Sequence, residues 1–261
     1  MENPQKGEMK TIDETPVFDI SRKQEMSFYQ GRNMSSAISD KCDATLGLSV
    51  HAHLLKVGLE TPLNLSHEKT PQQKIEKITE HFKGIMEELG LDLADDSLRD
   101  TPSRVAKMYV KEIFYGLDYK RFPKCTQIQN KMNYQSNFVL EKNINVQSNC
   151  EHHFVVIDGH AHVAYIPRER VLGLSKLNRM VEFFAKRPQV QERLTEQVCE
   201  TISFITGTPD VAVFIEGTHY CVKSRGVQDT SSSTITLATR GAFSGVDSKV
   251  RTEFLALARS K

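Results

Sequence analysis

Residues 138–166 of this chain are FVLEKNINVQSNCEHHFVVIDGHAHVAYI, and they hold the tetrapeptide Cys150-Glu151-His152-His153 between two segments of strand-like periodicity. After residue 131 the apolar residues no longer recur at helical spacing, so residues 138–149 and 161–166 predict strands. The tetrapeptide then lies in the turn that joins them. Residues 211–221 and 234–239 predict two further strands.

Helical patterns surround these strands. Upstream, residues 46–59 show a weak helical period, Thr70-Pro71-Gln72-Gln73 forms a capping box that opens a helix ending at Gly90, and Thr101-Pro102 opens another that reaches about residue 115. Downstream, residues 175–186 and 190–206 predict two helices separated by Pro188. The order of elements predicts an α+β fold, in which an antiparallel four-stranded sheet carries a helix pair on one face and is preceded by N-terminal helices.

Composition divides the chain into three regions and limits its partners. Residues 1–44 are polar without sustained periodicity and predict a flexible extension, residues 45–120 a helical region, and residues 121–261 the domain that contains the sheet. With 34 basic and 33 acidic residues the formal net charge is +1, so no global field recruits nucleic acid or an anionic membrane. No apolar run is long enough to span a membrane, and the first ten residues lack the apolar core of a signal peptide. We therefore expect a soluble, cytoplasmic protein.

Cys150, His153 and Cys221 form a possible metal site. Each residue alone is more often a packed core residue than a ligand, and a disulfide between the two cysteines is a second alternative that a reducing cytoplasm disfavours. Their clustering in the sequence instead favours zinc, which thiolates and imidazoles bind well. In a strand, His219 and Cys221 would project from the same face. The other three cysteines have no such partners and predict core packing or spare thiols: Cys42, Cys125 and Cys199.

A helix start near Gly173 predicts an anion site. Ser175 is a suitable N-cap, and the cations Lys176 and Arg179 near a positive helix terminus are unfavourable unless an anion binds there. A solvated charged face is the alternative. Further cations that could bind a phosphate, although each alone is more often a surface charge, are Arg104, Lys107 and Arg225.

Two more sets of residues suggest substrate chemistry. Gln191 and Glu192 open the helix that follows Pro188, where a carboxylate is favoured by the dipole alone and could alternatively accept paired N–H donors from guanine. His152 and His219 flank the metal candidates without both being needed as ligands. They are therefore candidates for proton transfer near neutral pH.

In these residues the chain resembles the GTP cyclohydrolase I family, of bacterial type, from about residue 59 to the C-terminus. The blocks that carry the resemblance are residues 91–98 (LDLADDSL), the Cys-Glu-His-His turn, residues 164–167 (AYIP), 173–176 (GLSK), 188–194 (PQVQERL), 219–221 (HYC) and 225–227 (RGV).

The resemblance implies the tunnelling fold, assembled as a homodecamer of two pentamers with active sites at subunit interfaces. It implies zinc on Cys150, His153 and Cys221, a zinc-activated water that adds to C8 of GTP, and proton transfer by His219 and His152. Formate would leave, and an Amadori rearrangement with ring closure would give 7,8-dihydroneopterin triphosphate. Glu192 would bind guanine, helped by Gln191 and the main chain near Leu174. Residues implied to hold the triphosphate are Ser175, Lys176, Arg179, Arg225, Arg104 and Lys107.

Two alternatives remain from the sequence. A related tunnelling-fold enzyme could act on another pterin or a deazapurine, but nitrile reductases of that superfamily use a cysteine nucleophile instead of this ligand pattern. The second alternative is a GTP-sensing or scaffold protein with a structural zinc. A fourth protein ligand that closes the coordination of the zinc would indicate it.

Overall fold

The computed structural model describes residues 40–64, 66, 67 and 69–260. The flexible extension predicted for residues 1–44 therefore falls almost entirely outside the described residues, and its last residue, Ala44, begins the first helix. The described residues belong to one compact unit. Within the described part of the chain, no helix has the length and apolar character needed to cross a membrane.

Three helices precede the sheet: α1 (Ala44–Lys56), α2 (Pro71–Glu88) and α3 (Thr101–Met108). The capping box of α2 is confirmed, since the Thr70 hydroxyl accepts from Gln73 N at 3.2 Å and the Gln73 side chain accepts from Thr70 N at 2.9 Å. The helix predicted to reach residue 115 keeps α-helical bonding only to Met108 and continues as one π-helical turn, Tyr109–Ile113.

The sheet has the predicted antiparallel core with one addition. Its strands are β2 (Val139–Cys150), β3 (Val156–Tyr165), β5 (Pro188–Gln189), β6 (Val211–His219) and β7 (Thr234–Thr239), in the order β5-β2-β3-β6-β7. The four long strands pair antiparallel, whereas the two-residue β5 pairs parallel with the end of β2. A separate ribbon pairs β1 (Gln127–Gln129) with β4 (Arg170–Leu172).

Two helices, α4 (Leu174–Ala185) and α5 (Gln191–Thr206), pack on one face of the sheet as predicted. Every second residue along these strands points into the core beneath the helices. Buried there are Val163 and Tyr165 of β3, and Val213 and Ile215 of β6. A helix that the sequence reasoning did not identify, α7 (Lys249–Arg259), covers part of the opposite face, where its Phe254 packs in a second cluster. The described residues thus form a mixed α+β structure.

Two local predictions are wrong. The strand predicted to reach residue 221 ends at His219, and a helical turn, α6 (Tyr220–Lys223), follows, so His219 and Cys221 do not share a strand face. Ser175 does not cap α4: Gly173 occupies the N-cap without a side-chain hydrogen bond, which places Ser175 in the first turn and Arg179 in the second. Pairing of β6 with β3 ends at His219, and Gly173 N donates to Thr126 O at 3.2 Å, so both places involve contacts with distant segments that local periodicity does not encode.

Candidate metal centre and active site

The turn after β2 is closed by backbone hydrogen bonds around Cys150. Cys150 N donates to Val155 O at 2.8 Å, and Phe154 N donates to Cys150 O at 2.8 Å. Phe154 adopts a positive φ of 54°, which lets the chain reverse into β3. Its ring packs edge-on against Phe114 with centroids 5.1 Å apart, which connects the turn to the segment that follows α3. The geometry presents Cys150 and His153 toward the same side.

Cys150, His153 and Cys221 come together as the sequence predicted. Their potential ligand atoms all lie within 4.8 Å of one another, and the helical turn α6 brings Cys221 to this position. All five cysteines of the chain are free, so the two thiols are not joined in a disulfide. Burial and a hydrogen bond with the Cys150 thiol raise the pKa of the Cys221 thiol.

This donor set fits zinc. Two sulfurs and one imidazole nitrogen are ligands that zinc prefers, at a separation that a single ion can bridge. Among the residues that the structure describes, no fourth Cys, His, Asp or Glu joins the group. Three protein ligands leave one tetrahedral position open, which is typical of catalytic and not of structural zinc sites.

Arg225 contacts one of the proposed ligands. Its guanidinium lies 2.7 Å from Nε2 of His153, and because a guanidinium can only donate, this nitrogen must accept. The proton of the neutral ring is then on Nδ1. A neutral imidazole has one lone pair, so metal ligation by His153 and this contact with Arg225 exclude each other.

His219 is half-buried at the end of β6 and is held by Gln191. Its Nε2 lies 2.9 Å from Oε1 of Gln191. Burial lowers the pKa of His219, and the nearby negative charge of Glu192 opposes that shift. A mainly neutral imidazole near pH 7 can accept a proton and return it, as expected for an acid/base group.

The other histidine of the turn, His152, is exposed, and its Nδ1 lies 3.5 Å from Sγ of Cys150. Its neighbour Glu151 accepts from Arg193 of α5 through both carboxylate oxygens, at 2.6 and 3.4 Å. This hydrogen bond from Arg193 lowers the pKa of Glu151. Main-chain bonding adds a second connection, from Glu151 N to Gln189 O at 3.0 Å, so the turn is fixed to both β5 and α5.

The remaining predicted site residues lie on other elements of the chain. Glu192 is exposed in the first turn of α5, and Leu174 and Ser175 are exposed in the first turn of α4. Lys176 is partly buried, Lys107 is exposed on α3, and Arg104 lies 3.7 Å from the carboxylate of Asp100. Arg179 lines a separate cavity of about 320 Å³ together with Arg121 and Tyr115.

Sequence reasoning missed the ion pair of Glu151 with Arg193 and the position of Gln191. Gln191 was expected to contact guanine, yet its side chain is 1% exposed and its amide hydrogen bonds are made within the protein. Neither feature had a local signal, because each joins residues at least 24 positions apart.

Comparison with known proteins agrees with this geometry. A family model for GTP cyclohydrolase I matches residues 78–259. GTP cyclohydrolase 1 of Aeromonas hydrophila is 56% identical over 209 residues, covering 80% of this chain and 94% of that protein. GTP cyclohydrolase 1 of Vibrio cholerae is 55% identical over 216 residues, covering 80% of this chain and 97% of that protein.

Among solved structures, the apo form of an archaeosine synthase QueF-Like covers 40% of this chain and 94% of its own, at 22% identity and a TM-score of 0.34, a similarity on which we base no conclusion. The family model and the two relatives each match most of the chain. The chain therefore belongs to the GTP cyclohydrolase I family.

Proposed function

We propose that this chain carries out the GTP cyclohydrolase I reaction, in which GTP and water give 7,8-dihydroneopterin triphosphate and formate, the first step toward tetrahydrofolate and related pterins. The observation that carries the proposal is the cluster of Cys150, His153 and Cys221 in a chain whose relatives are GTP cyclohydrolases. In this reaction water adds to C8 of the purine, the imidazole ring opens, C8 leaves as formate, and the rearranged ribose closes a new six-membered ring.

Cys150, His153 and Cys221 would hold a zinc ion, and Arg225 would leave Nε2 of His153 in exchange. Bound zinc supplies Lewis acidity that makes water nucleophilic near neutral pH, by lowering its pKa from 15.7 to about 7. Release from His153 frees the Arg225 guanidinium to donate to an oxygen of the triphosphate.

His219 and His152 would move protons. His219 contacts Gln191, the residue that precedes Glu192, so we place a guanine bound by Glu192 next to this imidazole. We propose that His219 protonates the five-membered ring of the purine as it opens, and that the exposed His152 transfers protons during ring opening and loss of formate.

Substrate binding would use both helix starts. Glu192 offers two carboxylate oxygens to the N1–H and amino group of guanine, and the main chain at Leu174 would contact the base. The first turns of α4 would bind the triphosphate through Ser175, Lys176 and Arg179, and the positive end of the helix dipole adds to this attraction. Arg104, Lys107 and Arg225 would complete the phosphate site.

We further propose a tunnelling fold that assembles as a decamer of two pentamers with interfacial active sites. Supporting this, β7 lies at one edge of the sheet with Ile235 51% exposed, and Leu89, the C-cap of α2, is 71% exposed. A site completed by neighbouring copies would also account for Arg179, which lines a cavity whose lining includes none of Cys150, His153 and Cys221. A cytoplasmic location stays a prediction.

The experiment is turnover of GTP by purified, metal-analysed protein, with formate and the fluorescent oxidised neopterin both measured. We expect one formate per neopterin, loss of both with a zinc chelator, and recovery with added zinc. GTP binding at full zinc occupancy without formate would instead support the GTP-sensing or scaffold alternative.

A further inference from the structure

The side chain of Gln191 is surrounded by hydrogen-bond acceptors on one side and by His219 on the other. Its Nε2 lies 2.9 Å from Thr234 O, 3.2 Å from Ile215 O and 3.1 Å from the Thr236 hydroxyl. Its Oε1 lies 2.9 Å from Nε2 of His219. Reversing the amide would place its oxygen against two backbone carbonyl oxygens, so this orientation is the one that the surroundings permit.

A chain of hydroxyl groups fixes the same orientation independently. Thr195 Oγ1 donates its only proton to the backbone carbonyl of Gln191 at 2.8 Å. Thr195 Oγ1 must therefore accept in its 2.6 Å contact with Thr236, and the Thr236 hydroxyl donates its only proton to Thr195. Thr236 can then only accept from Gln191, so the Gln191 atom that faces it is the NH₂ group, and the opposite atom is the oxygen.

We infer that Gln191 is a positioning residue that keeps a proton on Nε2 of His219 and leaves Nδ1 as the nitrogen that exchanges protons with the substrate. The amide oxygen can only accept, so Nε2 of His219 must donate. In a neutral imidazole the other nitrogen, Nδ1, then carries the lone pair. The tautomer follows from this chain alone, whereas its use in catalysis rests on the proposed function.

Gly217 provides the space for this contact. A Cβ atom at residue 217 would lie 2.8 Å from Oε1 of Gln191, closer than such atoms approach, and 3.3 Å from a methyl group of Ile157. Because the collision falls on the oxygen that accepts from His219, any side chain here would displace that oxygen. Gly217 lies on β6, two residues before His219. The same strand therefore provides both the space for the Gln191 amide and the imidazole that it contacts.

The decisive measurement is the tautomer of His219 in the zinc-loaded, full-length protein. Solid-state NMR of protein labelled with ring-¹⁵N histidine distinguishes protonated from unprotonated ring nitrogens, and the signals of His219 are identified by their loss in His219→Asn. We expect a protonated Nε2 and an unprotonated Nδ1. A neutral ring with its proton on Nδ1 overturns the inference, whether or not the protein turns over GTP.

Variants then test the consequence for catalysis. Gln191→Met removes the acceptor at similar volume, and we expect the tautomer ratio to fall about fivefold and kcat about tenfold, with zinc content and the KM for GTP within about twofold. Gly217→Ala keeps every polar group and should shift tautomer and kcat in the same direction, which preserves the test if Gln191→Met does not fold.

The matched control is Asn130→Leu. Asn130 is also a buried amide that donates to two backbone carbonyls, those of Tyr134 and Arg168, but it lies outside the proposed site. We expect it to leave the His219 tautomer and kcat unchanged. A wild-type tautomer in Gln191→Met, or a raised KM with unchanged kcat, would assign the side chain of Gln191 to substrate binding and overturn the inference.

Discussion

Replacing Arg187 with methionine should destabilise the fold strongly, because its guanidinium is a fully buried charge between α4 and α5. It donates to Glu60 at 3.2 Å, to the Tyr119 hydroxyl at 3.2 Å and to the carbonyl of Gly116. The rings of Tyr119 and two phenylalanines lie about 5 Å from its central carbon. Methionine fills much of the same volume but satisfies none of these polar groups.

The magnitude follows from what remains after the substitution. Glu60 has a side chain only 4% exposed and keeps two donors, its neighbour Thr61 N at 2.7 Å and the Tyr119 hydroxyl at 2.5 Å. It loses its permanently charged partner and keeps His51, whose Nε2 lies 3.7 Å away and is charged only when protonated. Removing one partner of a buried ion pair costs about 3–5 kcal/mol. We therefore expect Arg187→Met to lower the free energy of unfolding by about that amount.

Urea unfolding measures this loss in the free energy of unfolding. The protein concentration is held fixed, because any assembly of the chain makes its stability depend on concentration. Lys83→Met is the control: it removes an exposed ion pair with Glu87, worth about 0.5 kcal/mol or less. Adding Glu60→Gln to Arg187→Met should recover about 1–3 kcal/mol, as coupled charges do in double-mutant cycles. If Arg187→Met costs no more than Lys83→Met, the buried pair does not stabilise the fold and the reasoning is refuted.

Three further outcomes are expected. Cys221→Ser should lose zinc together with turnover, whereas Cys42→Ser keeps both; full zinc content in Cys221→Ser by metal analysis would remove Cys221 from the ligand set. His219→Ala should bind zinc and GTP in equilibrium assays but release no formate, and near-normal formate release would contradict its role as proton carrier. A hydrogen bond with His53 and the charge of Arg240 lower the pKa of Glu200, so the carboxylate stabilises the fold above the unfolded-state pKa and this stabilisation is lost as the pH falls through the folded-state value. Glu200→Gln should therefore cost about 1–2 kcal/mol at pH 6 and less below about pH 4; a cost that is instead larger below pH 4 than at pH 6, measured by urea unfolding, would contradict this sign.

Local chemistry explains which parts of the fold were predictable. The capping box at Thr70 and the helix pair on either side of Pro188 depend on residues within four positions of one another, and both were found from the sequence. The helix α7 had a comparable signal, since Ser248 caps it by accepting from Arg251 N and Phe254 lies one turn before Ala258.

Long-range pairing explains the errors. β6 ends at His219 because its pairing with β3 ends there, opposite Ile157, and the chain then coils into α6. The periodicity of residues 211–221 does not indicate that the strand ends at His219. The position of Gln191 likewise depends on Ile215, Thr234 and His219, which lie on two different strands.

The metal ligands and the phosphate ligands differ in how much their residue types reveal. A metal requires particular donor atoms within a few ångströms of one another, so two cysteines and a histidine at suitable spacing carry much information, and they do meet within 4.8 Å. A triphosphate can be bound by any lysine or arginine that reaches it, on any element or on a neighbouring copy, because charge attraction acts over longer distances and tolerates many geometries. The 34 basic residues of the chain therefore leave many equivalent choices. For this reason the sequence correctly predicted that Cys150, His153 and Cys221 come together. The assignment of Arg104, Lys107 and Arg179 to the triphosphate rests instead on family resemblance.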